Sequence, residues 1–256
     1  MTIFESSRLK IKRADQHINN LKILVSDFLK TDFYTLEANY KTHIQQVAYR
    51  VVRVDPLPEN VPLVLGDAIH NLRSALEHFM WETVDRFGGT PPDLHTSFPI
   101  AMTEQQYRSA FAKREITLLR KEIKEFISDV QPYVTGDNTL WNLHQLDITD
   151  KHQLIIPVAS AATSMGLKQP RTWVAELSSA FHLELGEEIC HIPIETYEKS
   201  HNNIQFGPAI TFRNSEVFRG KTVIEALEHA SGYIDMIITT VERKIAQPSI
   251  GDISNP

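Results

Sequence analysis

"GDAIHNLRSALEHFMWETVDRFG", residues 66 to 88, decides the fold and concentrates the chemistry of this chain. Wound at about 100° per residue, it sets Ile69, Leu72, Ala75, Leu76, Phe79 and Met80 on one apolar arc. The opposite arc carries Asp67, His70, Asn71, Ser74, Glu77, His78 and Trp81, with Arg73 at its edge. A surface helix ordinarily turns Lys and Glu to water. Imidazoles, carboxylates, an amide and a guanidinium on one stripe are instead the ingredients of a site. Gly88-Gly89 predicts where the helix stops.

Two further helices carry matching seams. Ile11, Ala14, Ile18, Leu21, Val25 and Phe28 recur by threes and fours and predict a helix over about 7 to 30, with Ser6 or Ser7 as its cap. Val223, Leu227, Ala230, Ile234, Ile237, Val241 and Ile245 predict another over 221 to 246. The three are expected to pack in one bundle. Between the first two, the alternation of Val47, Tyr49 and Val51 reads as one or two strands, followed by a loop where prolines break the run.

Beyond Gly89, Thr103 with Gln106 three residues on reads as a capping box. A helix over about 115 to 130 should stop at Gln131-Pro132, and a short one over 139 to 151 should bury Leu140, Leu143 and Leu146. From Leu154 to Phe212 short β-branched runs separated by Gly, Pro and Asn read as an antiparallel meander. Runs of one element type point to an α+β fold, a helical bundle with a flanking antiparallel β-sheet. The reading is one domain, helical over 1–152 and 221–246 and strand-rich over 153–213. The last ten residues read as a frayed tail.

Composition narrows the classes. The chain has 256 residues, enough for a sizeable core without disulfides or a structural metal. Its one cysteine, Cys190, excludes an intrachain disulfide and a Cys-based zinc cluster, and its alternating segment predicts a buried thiol. A formal charge of −6 gives no general attraction to nucleic acid and no DNA signal. The most basic stretch, "KREITLLRKEIK" (113 to 124), interleaves its charges as a solvated helix with i,i+4 pairs does. No apolar run reaches a membrane span and no signal-peptide core is evident, so the expectation is a cytoplasmic protein without membrane contact.

A second polar constellation, "LHQLDITDKH", supplies His144, Asp147, Asp150, Lys151 and His152. If it faces the stripe on 66 to 88, His70, His78, His144 and His152 can converge with carboxylates, as in a metal-dependent enzyme or a small-molecule binder. Spacing weakens the metal, because His70 and His78 lie two turns apart and no HExxH is present. Trp81 and Trp141 sit where an indole lines a pocket or stacks a base. His182, His191 and His201 share no ligand spacing, and no phosphate loop, nucleophile elbow or dinucleotide fingerprint occurs. No cofactor follows from the sequence.

Arg73 and His78 in "RSALEH" have the spacing Arg-x4-His, which resembles the motif of the HEPN superfamily, small α-helical bundles of which many are ribonucleases. The resemblance implies a metal-independent endoribonuclease, with RNA as partner and a homodimer to complete the site. Arg73 would clamp the scissile phosphate and His78 would move the proton of the 2′-hydroxyl or leaving group. His70, Asn71, Glu77, Trp81, His144, Lys151 and His152 are then the substrate-binding candidates. "GDAIHNLRSALEH", "FPI", "QPY" and "LHQLDITDKH" are also similar to a group of uncharacterised bacterial proteins that read GDxxHNLRSALDH and DKHR. Here Glu77 replaces the usual Asp and Gln153 the usual Arg. The other reading of the same residues is a non-catalytic polar network that pins helix register. Substrate and oligomeric state stay open.

Overall fold

The computed structural model describes residues 3–88, 91–112, 118–165, 178–200, 204–214 and 216–246. Among these, seven α-helices and two three-stranded antiparallel sheets make an α+β fold. They gather into two compact units. The first comprises Met1–Asn20, Leu63–Ile155 and Glu225–Pro256, and the second Leu21–Pro62 and Ile156–Ile224.

Helices make the first unit. Most of α1 (Glu5–Leu29), α2 (Asn60–Phe87) and α7 (Val223–Ala246), with all of α5 (Asn138–His152), supplies its bundle, and the shorter α3 (Glu104–Ala112) and α4 (Lys121–Val130) lie between α2 and α5 in the chain. The apolar arc of α2 is sealed: Ile69, Leu72, Ala75, Leu76 and Phe79 have no exposure and Met80 almost none. Each large side chain among them contributes about 1.5–3 kcal/mol by leaving water. Polar ties set the neighbours. Arg8 on α1 holds Asp235 (2.7 Å) and Glu242 (2.5 Å) on α7, and Ser231 donates to Asp15 at 2.7 Å. The Phe4 and Phe79 rings meet at 4.9 Å.

Several helix ends differ from the sequence reading. α2 begins at Asn60, six residues before Gly66, and takes Pro62 into its first turn. A proline is harmless there, since first-turn N–H groups have no intrahelical acceptor. α1 begins at Glu5, so neither Ser6 nor Ser7 caps it, and both lie inside its first turn. Thr103 and Gln106 do form the capping box, at 3.2 and 3.3 Å. α4 starts at Lys121, later than 115, and residues 113–117 lie outside the described residues; Gln131 ends it in the left-handed region (φ 49°). Asp137 caps α5 by accepting from the Thr139 backbone N–H at 2.9 Å. Leu140, Leu143 and Leu146 form its buried stripe.

Strands make the second unit, and they do not form one meander. β1 (Tyr34–Lys41) and β2 (Gln46–Val54) pair as a hairpin around a turn that sets Gln45 in the left-handed region. β5 (Glu188–Pro193) leaves its sequence neighbours to join β2, giving the order β1-β2-β5. β3 (Pro157–Met165), β4 (Ser178–His182) and β6 (Ile204–Phe212) make the other sheet, in the order β4-β3-β6. A local alternation fixes which face of a strand is buried but not which strand lies beside it. The run 172–177, read as a further strand, lies outside the described residues, as does the tail 247–256. A short helix, α6 (Ile194–Ser200), interrupts the strands without having been foreseen. Cys190 is partly exposed rather than buried.

Candidate functional site

The polar stripe of α2 divides into two sides, because steps of 100° carry residues 73 and 78 about 140° apart around the axis. Arg73 and His70 turn toward α5. His78, Trp81 and Glu82 turn toward the start of α1.

On the α5 side the groups pair with one another. Arg73 is only 8% exposed. It is ion-paired with Glu77 one turn on, and its Nε donates to His144 Nδ1 at 3.3 Å. Burial, with the Arg73 cation beside it, lowers the His144 pKa to about 4, so that ring is a neutral acceptor at neutral pH. Asp147, itself buried, accepts from His70 Nδ1 at 3.2 Å and from Lys151 Nζ at 2.5 Å. Gly66 faces the Asp150 carboxyl so closely that a Cβ would stand 2.5 Å from its Oδ1. Burial and the neighbouring Asp147 and Asp67 charges raise the Asp150 pKa. Asn71 donates to the Asp67 backbone carbonyl at 2.8 Å. His152 is exposed at the end of α5. The ring of Trp141 lies 6.1 Å from that of His144.

On the α1 side lies a cavity of about 680 Å³. α1 lines it with Glu5, Ser6 and Leu9, and α2 with Glu77, His78, Trp81, Glu82, Asp85 and Arg86. The segment after α2 closes it with Asp93, Leu94 and Thr96. That segment is built by local bonds: Asp93 and Thr96 exchange two hydrogen bonds at 3.0 and 3.1 Å, and the His95 N–H reaches Asp93 Oδ1 at 2.7 Å. Glu77 fastens it to α2 by accepting from the Phe98 backbone N–H at 3.1 Å. Glu77 therefore serves both sides of the helix.

The cavity fixes the tautomer of His78. The Ser6 hydroxyl donates its one proton to Glu82, and its oxygen lies 3.0 Å from His78 Nδ1. With that proton committed, Ser6 Oγ accepts, so Nδ1 carries the imidazole hydrogen and Nε2 keeps its lone pair. Among the described residues Nε2 has no hydrogen-bond partner. Burial first and the Lys10 charge second lower the His78 pKa, against Glu82 and Glu77, which raise it. The ring that carries this acceptor lines the cavity.

No family model, curated protein or solved structure matches this chain.

The structure thus separates Arg73 from His78: the first lies in the α2–α5 network and the second on the cavity. His70, His144 and Lys151 belong to that network, while Glu77, His78 and Trp81 line the cavity. Among the described residues no group of three or more His, Cys, Asp or Glu side chains is arranged to hold a metal ion. No described helix is long and apolar enough to cross a membrane. Sequence reasoning missed Ser6 and Glu82. Glu82 was in reach of it, one turn beyond His78 on the same face, whereas Ser6 had been read as a cap.

Proposed function

We propose that the protein binds a small molecule in the cavity between the first turns of α1, the His78 side of α2 and the 93–96 turn. One observation carries this reading: an open space of about 680 Å³ is lined by the His78 imidazole and the Trp81 indole. That volume lies within the range of sites for small ligands. Trp81 is 46% exposed although it lines a concavity, so a ligand can cover apolar surface that nothing else in the unit covers. The α2–α5 network keeps α2 in register beneath the site, through Arg73 holding Glu77. Saturation-transfer NMR with a fragment set tests the reading. Fragments should bind the wild type and lose their signal with Trp81→Ala and His78→Ala. A set that binds all three proteins alike, or none, overturns it.

A second reading keeps the Arg-x4-His resemblance, as a HEPN-like, metal-independent ribonuclease working as a homodimer. Its favouring observation is that His78, the histidine of that pattern, lines the cavity and has no hydrogen-bond partner on Nε2 among the described residues. Nε2 would take the 2′-hydroxyl proton as that oxygen attacks phosphorus and the 5′-oxygen leaves. Arg73 would have to exchange Glu77 for the phosphate. RNA cleavage that persists in EDTA and disappears in both Arg73→Ala and His78→Ala would establish it; intact RNA with wild-type protein would end it.

A further inference from the structure

We infer that the cavity takes an organic cation, a protonated amine carried on an apolar body. The inference rests on the binding reading above and names the chemical class of the occupant.

Charge is the first argument. Five carboxylates line the cavity, from Glu5, Glu77, Glu82, Asp85 and Asp93, against one guanidinium, that of Arg86. Arg73 compensates Glu77 from behind, and Lys10 acts on the His78 ring, so the surplus is smaller than the wall alone suggests. It remains negative. A concave wall with a surplus of one sign focuses its field on whatever enters, and an anionic ligand would meet one guanidinium there against five carboxylates.

Hydrogen-bonding polarity is the second. His78 Nε2 is an acceptor, because Ser6 already takes the Nδ1 hydrogen. Thr96 Oγ1 accepts from the Asp93 backbone N–H, so its hydroxyl proton and the Arg86 guanidinium count as donors on the wall. The oxygens of the five carboxylates weight the balance toward acceptors, so the wall favours a ligand that donates. An ammonium brings up to three N–H donors and the matching charge, and charge-assisted bonds of this kind are about twice as strong as neutral ones.

Apolar surface is the third, and it is independent of the other two. Leu9 and Leu94 both line the cavity with most or all of their side chains exposed, and Trp81 stands with them. These three can cover a hydrocarbon or aromatic body, and an indole also attracts a cation held near its face. A bare inorganic cation would leave that surface wet.

Tryptophan fluorescence and calorimetric titration at low salt test this with three probes that share a phenethyl body: phenethylammonium, neutral 2-phenylethanol and anionic 3-phenylpropanoate. Phenethylammonium should bind at least about tenfold more tightly than the alcohol, a difference of about 1.4 kcal/mol. The propanoate should bind more weakly than either. Asp85→Asn, at an exposed position of α2, should cut the preference of ammonium over alcohol severalfold while leaving the melting temperature unchanged. Added salt should weaken the ammonium and spare the alcohol. Tighter binding of the alcohol or the propanoate would overturn the inference and leave the binding reading standing. Failure of all three probes to bind would overturn both.

Discussion

Arg73 is held by groups from its own helix and from α5. Glu77 lies one turn on along α2, and the position of α5 brings in His144. Truncating one partner of such a pair leaves the other uncompensated. Because Glu77 is partly exposed, Arg73→Met should cost about 1–3 kcal/mol in urea unfolding, below the full penalty of a buried pair. Adding Glu77→Gln should recover part of the loss, since the amide oxygen can still accept from Phe98 N–H. Equal or greater loss in the double variant would remove Glu77 as the main partner. His78 offers a sharper check. Long-range nitrogen spectra at neutral pH should show Nδ1 protonated and Nε2 bare, and Ser6→Ala should move the ring toward the opposite tautomer. An unchanged ring in Ser6→Ala would show that Ser6 does not set it.

Elements came through the sequence well where a local rule suffices. The seams of α1 and α7, the Thr103 capping box and the stop at Gln131 all depend on residues a few positions apart, and the structure has them. The beginning of α2 and the partners of β5 depend on tertiary context, and there the reading fell short. Gly66 belongs to the same lesson. In the interior of α2 a glycine costs about 1 kcal/mol against alanine, yet the close Asp150 carboxyl leaves no room for a methyl group. Gly66→Ala should therefore fail to stabilise the protein. In an Asp150→Ala background the same change should stabilise it by about 1 kcal/mol in urea unfolding. Stabilisation in the wild-type background would show that Asp150 yields easily and that the glycine is there for another reason.

For the whole molecule, α+β class followed from runs of one element type, and the structure has it. The division of strands between two sheets did not follow, because pairing across long stretches of chain leaves no local trace. The candidate site fared likewise. The polar stripe of α2 was visible, but it faces two ways, and only the packing of α1 shows which side carries the cavity. With a net charge of −6 and carboxylates around the cavity, the molecule suits a cationic visitor better than a polyanion. The most direct measurement follows the ring nitrogens of His70, His78 and His144 during titration with phenethylammonium. The account predicts that His78 Nε2 shifts with saturation while His70 and His144 hold still. Movement of His70 or His144 with His78 unmoved would place the ligand on the α5 side and contradict it.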